Sequence, residues 1–279
     1  MAPATDSTDL VLLEEVAEHV WRATLNSPAD LNALSGAMRT AILNAQATAR
    51  ENGATVLILS GDDRAFSSGY KLDPGVMRPK TAVEDRARLV EVTDFMSAFR
   101  DSPVVTITEI RGYCLAGGTD LMLASDLAFA ANDAALGVPN VRGVGITLLL
   151  PLWSWLLGPQ RAKLLALTGD TIRGDEAADL GLVTGAYESD VLAEKVLAVA
   201  QRIAQVPHEL TAVTKHALNT AWDNAGYRST VARAAELDAL SHATDPVVEF
   251  WDNVVENGMK AALTERDAPF RTGRVLDVI

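Results

Sequence analysis

Two short apolar runs, Val56–Ser60 and Val104–Ile110, each lead into an irregular segment that carries glycine. This repeated arrangement constrains the fold more than any other feature of the chain. Both runs read as buried strands. After the first, Ala65-Phe66-Ser67-Ser68-Gly69-Tyr70-Lys71-Leu72 breaks any periodicity, and Gly69 sits where the chain must turn sharply. After the second, Gly112-Tyr113-Cys114-Leu115-Ala116-Gly117-Gly118 is a small-residue loop that feeds a short helix from about Gly117 to Ala124. Glycine lets backbone N–H groups approach a ligand with no Cβ in the way. A helix N-terminus adds unpaired N–H groups and a partial positive charge. Two such donors aimed at one oxygen form an oxyanion hole, in which losing one donor costs about 2.7–4 kcal/mol. Taken alone, the glycines read more readily as two tight turns that do no chemistry.

The remaining periodicity fills in an α/β chain. Residues 16–25 alternate roughly and read as one strand, while residues 1–10 are polar and read as a loose terminus. Ser35 is placed to N-cap a helix running to about Asn52. Asp73–Thr81 reads as a loop. Leu89, Val92, Phe95, Met96 and Phe99 then recur at helical spacing between Val83 and Arg100, and Asp126–Ala131 reads as a further strand. Helical segments close at Gly169 and Gly181. Residues 190–265 hold four helical patterns separated by Pro207, Gly226 and Pro246. The shift in composition near 185–205 divides the chain into a β/α part, 1–200, and a helical C-terminal part, 201–279. No fixed-period repeat is visible, although the strand–strand–helix rhythm of the first half is compatible with a structural one.

Several function classes are excluded. With 37 acidic and 24 basic residues the net charge is −13, and no Lys/Arg cluster offsets it, which argues against nucleic acid or an anionic membrane as partner. The longest apolar run, Leu148–Leu157, is interrupted by Pro151 and Ser154 and is too short to span a bilayer. The N-terminus carries neither a basic nor an apolar signal region, and Cys114 is the only cysteine, so the expected compartment is the cytoplasm, with no disulfide and no cysteine zinc site. His19, His208, His216 and His242 are scattered without metal-ligand spacing, so no metal is expected. Gly143-Val144-Gly145-Ile146-Thr147-Leu148 lacks the third glycine of a dinucleotide fingerprint, and Ser67 and Ser68 lie outside a nucleophile elbow.

Over almost its whole length the chain resembles the crotonase, or enoyl-CoA hydratase/isomerase, family. Asn32-Ala33-Leu34-Ser35 resembles the family's Asn-Ala-Leu entry. Ala65-Phe66-Ser67-Ser68-Gly69-Tyr70-Lys71-Leu72 is similar to its Ala-Phe-x-x-Gly-x-Asp-Leu signature. Gly112 to Leu121, with Ser125-Asp126, resembles the second signature, and Leu167-Thr168-Gly169-Asp170, Glu176-Ala177 and Gly181-Leu182-Val183 follow in the family's order. The resemblance implies a spiral of ββα units with a helical C-terminal region that mediates trimers, often paired into hexamers. It implies an acyl-CoA thioester as ligand and no further cofactor. The two oxyanion donors map onto the amides of Tyr70 and Gly117. Ala65, Ser68, Gly69, Leu72 and Gly118 fall on substrate-contacting positions, and Phe270 on a tail position that is either an adenine contact or a subunit anchor.

A thioester carbonyl held by two amides becomes enolate-like when a proton leaves the α-carbon or water adds at the β-carbon, and the site then needs a carboxylate. The family's two hydratase glutamates fall on Asp120 and Asn140. Asp120, in the first turn of the glycine-led helix, is the candidate base or acid. Asn140 cannot exchange a proton but can hold a water or a carbonyl. Arg142 is placed to pair with Asp120 or the ligand, or to be a plain surface charge. The Gly-Gly-x-Asp pattern is also similar to dienoyl-CoA isomerases, whose two further acids fall here on Asn140 and Leu148. Trp153 and Trp155 belong to core packing, an acyl pocket or a trimer contact. The expected activity is therefore hydration of a 2-enoyl-CoA. A double-bond isomerase, an acyl-CoA binding protein without turnover and a thioester hydrolase stand as alternatives.

Overall fold

The computed structural model describes residues 10–77, 81–271 and 273–277; residues 1–9 of the expected loose terminus and 78–80 of the expected 73–81 loop lie outside them. The chain is built by repetition. A strand enters a large sheet, a second short strand enters a small sheet, and a helix returns. The first unit is a hairpin, β1 (Val11–Ala17) and β2 (Val20–Leu25), followed by α1 (Gly36–Glu51). Next come β3 (Val56–Ser60), β4 (Ala65–Ser67), the short α2 (Pro74–Met77) and α3 (Ala82–Asp101). The third unit is β5 (Val105–Ile110), β6 (Tyr113–Leu115) and α4 (Gly117–Ala124). The fourth is β7 (Leu127–Ala131) and β8 (Ala135–Gly137), then α5 (Trp153–Leu157) and α6 (Pro159–Thr168). Strand β9 (Thr171–Arg173), α7 (Gly174–Leu180) and β10 (Gly185–Tyr187) complete the sheets.

The large sheet has the order β1-β2-β3-β5-β7-β10, parallel except for the β1–β2 hairpin, and the small sheet β4-β6-β8-β9 is parallel except for β9. Parallel strands must be covered on both faces, and every residue of β3 and of β5 is buried. Helices α8 (Ser189–Ala204), α9 (His208–Asn224), α10 (Tyr227–His242), α11 (Asp245–Asn257) and α12 (Met259–Asp267) follow. α8 lies on β3, β5 and β7, and α10 packs on α3. No helix among the described residues is long and apolar enough to cross a membrane.

Local chemistry explains most boundaries. The Ser35 hydroxyl accepts the Met38 amide at 3.1 Å, and Thr81 accepts that of Glu84 at 3.1 Å, so each caps the helix that follows. Three expectations are corrected. The single strand over 16–25 is the end of a hairpin, because His19 adopts φ 61° and reverses the chain. Part of the 73–81 loop is the helical turn α2. The C-terminal helical stretch holds five helices, not four: Gly258, at φ 86°, breaks the last pattern, while Pro246 sits inside the first turn of α11.

Helix α9 is fastened to the sheet by one buried ion pair. The Lys215 ammonium donates to Asp126 at 2.7 Å and to the Val104 carbonyl at 2.8 Å, and its side chain is 6% exposed. Removing one partner of such a pair leaves a buried charge uncompensated. Lys215→Met should therefore lower unfolding free energy by about 3–5 kcal/mol in a urea titration.

Candidate active site

The two glycine segments meet. Asn32, at φ 53°, donates its side-chain amide to the Ala65 carbonyl at 2.9 Å, and the Ser67 hydroxyl donates to the Asn32 carbonyl at 2.9 Å while accepting the Gly69 amide at 3.1 Å. Leu34 donates to the Gly69 carbonyl at 2.7 Å in a parallel bridge, which turns the Tyr70 amide away from Leu34. At Gly69, φ +102°, a Cβ would lie 2.9 Å from the Gly117 nitrogen; at Gly118 it would lie 2.6 Å from the Ser67 carbonyl. A Cβ on Gly117 would strike the Tyr70 ring at 2.7 Å. These contacts leave no room for a side chain at the three positions. Ala116 precedes α4 at φ 49°, ψ −117°, a strained conformation for a residue with a Cβ. Among the described residues neither the Tyr70 nor the Gly117 amide donates to a protein acceptor.

Asp120 is fully buried in the first turn of α4. Its Oδ1 accepts the Leu149 amide at 2.8 Å, and its Oδ2 accepts the Leu148 amide at 3.1 Å and the Tyr70 hydroxyl at 2.8 Å. Burial pushes its carboxyl up to about 7, and these three donors hold it from rising further. The Tyr70 phenol is driven well above its ordinary value, first by burial and then by the Asp120 charge. Beside this pair lies a cavity of about 470 Å³, of the size that takes a small-molecule ligand. Ser68, Tyr70, Leu72, Asn140, Thr147 and Asp238 are among its walls.

A model of the enoyl-CoA hydratase/isomerase family matches residues 15–271. A probable enoyl-CoA hydratase of Mycobacterium leprae is 30% identical over 94% of this chain and 98% of its own. A crotonyl-CoA hydratase of Syntrophomonas wolfei is 30% identical over 88% of this chain and 92% of its own. The crystal structure of an enoyl-CoA hydratase/isomerase from Xanthobacter autotrophicus superposes with a TM-score of 0.85 at 33% identity, covering 93% and 98% of the two chains. The chain belongs to the enoyl-CoA hydratase/isomerase family. The α/β spiral with its helical C-terminal region is the fold of that family.

Within this family member the expected site residues separate into two layers. Ser68, Tyr70, Leu72 and Asn140 line the cavity. Ala65, Gly69, Gly117, Gly118 and Asp120 are buried behind that wall. Asp120, the candidate base or acid, has its carboxylate capped by three donors, of which only the Tyr70 hydroxyl belongs to a cavity-lining residue. The expectation for Arg142 is corrected. Its guanidinium lies 3.8 Å from the Phe270 ring centre and is ion-paired to Asp170 and Asp267, with Nε on the Thr168 carbonyl at 2.9 Å. Both its face and its edge are occupied, so it meets neither Asp120 nor the cavity. Phe270, 38% exposed, serves as the platform for that cation. Trp153 is core, whereas Trp155 is partly exposed and meets Trp222 edge-on at 5.5 Å.

Sequence reasoning missed Asp85, Asp238 and His242, which come together beside the cavity from α3 and α10. They carry no motif; Asp238 and His242 stand four residues apart on one face of α10, but Asp85 is distant in sequence and its contact is hidden.

The raised Asp120 carboxyl makes stability depend on pH. Between its ordinary value of 3.8 and about 7 the folded chain binds a proton that the unfolded chain releases. This contribution is complete below the lower value and is lost as pH rises through the upper one, at up to ~1.4 kcal/mol per pH unit. Asp120→Asn should be less stable at low pH but lack that slope, as urea titrations across the window would show.

Proposed function

We propose that this enzyme adds water across the double bond of a 2-enoyl-CoA. The observation that carries the reading is the Tyr70 hydroxyl, which joins the cavity wall to a sealed carboxyl that burial pushes up to about 7. The thioester oxygen accepts hydrogen bonds from the Tyr70 and Gly117 amides, both without protein acceptors among the described residues. As water bonds to the β-carbon, the π electrons move toward that oxygen and give an enolate. The α-carbon then takes the Tyr70 proton while Asp120 returns its own to the phenolic oxygen; the proton shed by the attacking water leaves the new hydroxyl, and Asp120 is reprotonated from solvent after release. A phenol alone is a weak acid here, since its value lies well above the ordinary one; the raised carboxyl behind it makes the transfer accessible.

In this reading Ser68 and Leu72 contact the ligand, and Ala65, Gly69 and Gly118 allow the backbone its close approach. Asn140 orients the water. Its Nδ2 donates one hydrogen to the Gly145 carbonyl at 3.0 Å, and its Oδ1 has no partner among the described residues. The chemistry needs no cofactor beyond the CoA thioester. A double-bond shift is the second reading, favoured by the amide of Asn140 standing where a second carboxylate is expected. The assembly is a homotrimer or homohexamer, a reading supported by the exposed Leu210, Val213 and Leu218 of α9 and Leu240 of α10.

Loss of enoyl-thioester absorbance, with product analysis, tests the reaction. Tyr70→Phe and Asp120→Asn should each cut kcat by about 10²–10⁴-fold while leaving binding of a saturated acyl-CoA intact. Wild-type turnover in both variants would refute the proton relay, a migrated double bond would favour the second reading, and free CoA would identify a hydrolase.

A further inference from the structure

A second buried carboxylate lines the cavity. Asp238 of α10 is 4% exposed. Its Oδ1 accepts the Ile146 amide at 2.8 Å and the Ser241 hydroxyl at 3.1 Å, and lies 3.3 Å from His242 Nε2. Its Oδ2 takes no hydrogen bond among the described residues. On the far side of the imidazole, Nδ1 is 2.6 Å from Asp85 Oδ2, and the Arg88 guanidinium binds Asp85 Oδ1. Both ring nitrogens thus face carboxylate oxygens, and neither is free for a metal.

The row is also fitted to the cavity wall. Gly145, at φ +145°, lies on it so closely that a Cβ would be 2.5 Å from His242 Nε2 and 2.7 Å from Asp238 Oδ1. The short strip that follows gives the Ile146 amide to Asp238 and the Leu148 and Leu149 amides to Asp120. One strand of backbone thus spans two buried carboxylates, and Asp120 and Tyr70 both sense the Asp238 charge.

We propose that Asp238 is the second catalytic carboxylate of this enzyme, accepting the proton of the attacking water at Oδ2, and that His242, Asp85 and Arg88 are positioning residues that hold it ionised. The inference rests on the hydration reading above. A water O–H bond breaks, its proton passes to Asp238, and its oxygen bonds to the β-carbon. The α-carbon receives the proton of the Tyr70–Asp120 pair. The cycle ends with Asp238 protonated and Asp120 ionised, and the proton returns through solvent after release. Asp238 thereby supplies the carboxylate missing at Asn140, from another element of the fold. Burial raises its carboxyl, while the His242 cation, the Ile146 amide and Ser241 oppose that rise. Asp85 is held below its ordinary value, since His242 and Arg88 outweigh its own burial. Asp120 of α4 and Tyr70 also sense Asp238; Lys71, Arg266 and Asp267 line the same cavity, and the 145–149 strip bonds to Asp238 through the Ile146 amide. Among the described residues no side chain of α9 or α11 is bonded to it.

The test compares two reactions of the full-length protein. Hydration of a 2-enoyl-CoA needs both carboxylates, whereas deuterium uptake from D2O at the α-carbon of a saturated acyl-CoA needs only Tyr70 and Asp120. Asp238→Asn should lower hydration by about 10²–10⁴-fold and remove the acid limb of its pH profile, yet retain α-exchange. His242→Gln should retain hydration with its acid limb moved to higher pH, because Asp238 loses its cation. Equal loss of both reactions in Asp238→Asn, undiminished hydration in that variant, or an unmoved limb in His242→Gln would overturn the proposal. Absence of α-exchange in the wild type would instead refute the Tyr70–Asp120 relay.

Discussion

One buried carboxylate holds the site together. Asp120 accepts hydrogen bonds from three separate parts of the chain: the Tyr70 side chain after the first glycine segment, and two successive amides of the strip before α5, while it sits itself on the second glycine segment. A buried charge is tolerated only when such donors surround it. Here they do so without neutralising the effect of burial, and the carboxyl stays near 7 rather than falling to the range of an exposed aspartate. The architecture of the wall and its proton affinity therefore have one cause.

The same strip explains why the cavity keeps its shape. Its amides are claimed by Asp238 at one end and by Asp120 at the other, so the backbone between them is pinned at both ends. Apolar packing adds to it, with Tyr70 against the cluster of Leu89, Val92, Leu148, Ala235 and Ala239. Helices α3 and α10 thus contribute to the site twice, through that packing and through the Asp85–His242 contact. The glycines act differently: they bring the two segments within van der Waals contact, at the cost of strain stored at Ala116.

What the sequence revealed follows from range. Ser35 capping α1, the buried strands β3 and β5, and α4 opening at Gly117 are local consequences of composition and spacing. The ββα rhythm carried the fold. The hairpin at His19 stayed hidden because β1 mixes buried and exposed residues without clean alternation. In the site, the glycines, Tyr70 and Asp120 were legible from motif order. Their layering was not, since nothing local says that a tyrosine ring will lie across Gly117 and cover Asp120. Arg142 is the converse case: its partners Asp170, Asp267 and Phe270 come from distant segments. Asp238 and His242 share one face of α10, but their meeting with Asp85 depends on how α10 docks on α3.

The account stands on the proton held between Tyr70 and Asp120, and infrared difference spectroscopy observes it directly. Spectra of wild type minus Asp120→Asn across a pH series should show one protonated-carboxyl band that disappears with a midpoint of about 7, and that midpoint should move upward in a Tyr70→Phe background, where one stabilising donor is gone. A band lost entirely below about pH 5, near the usual range of an aspartate, or one indifferent to Tyr70, would contradict it.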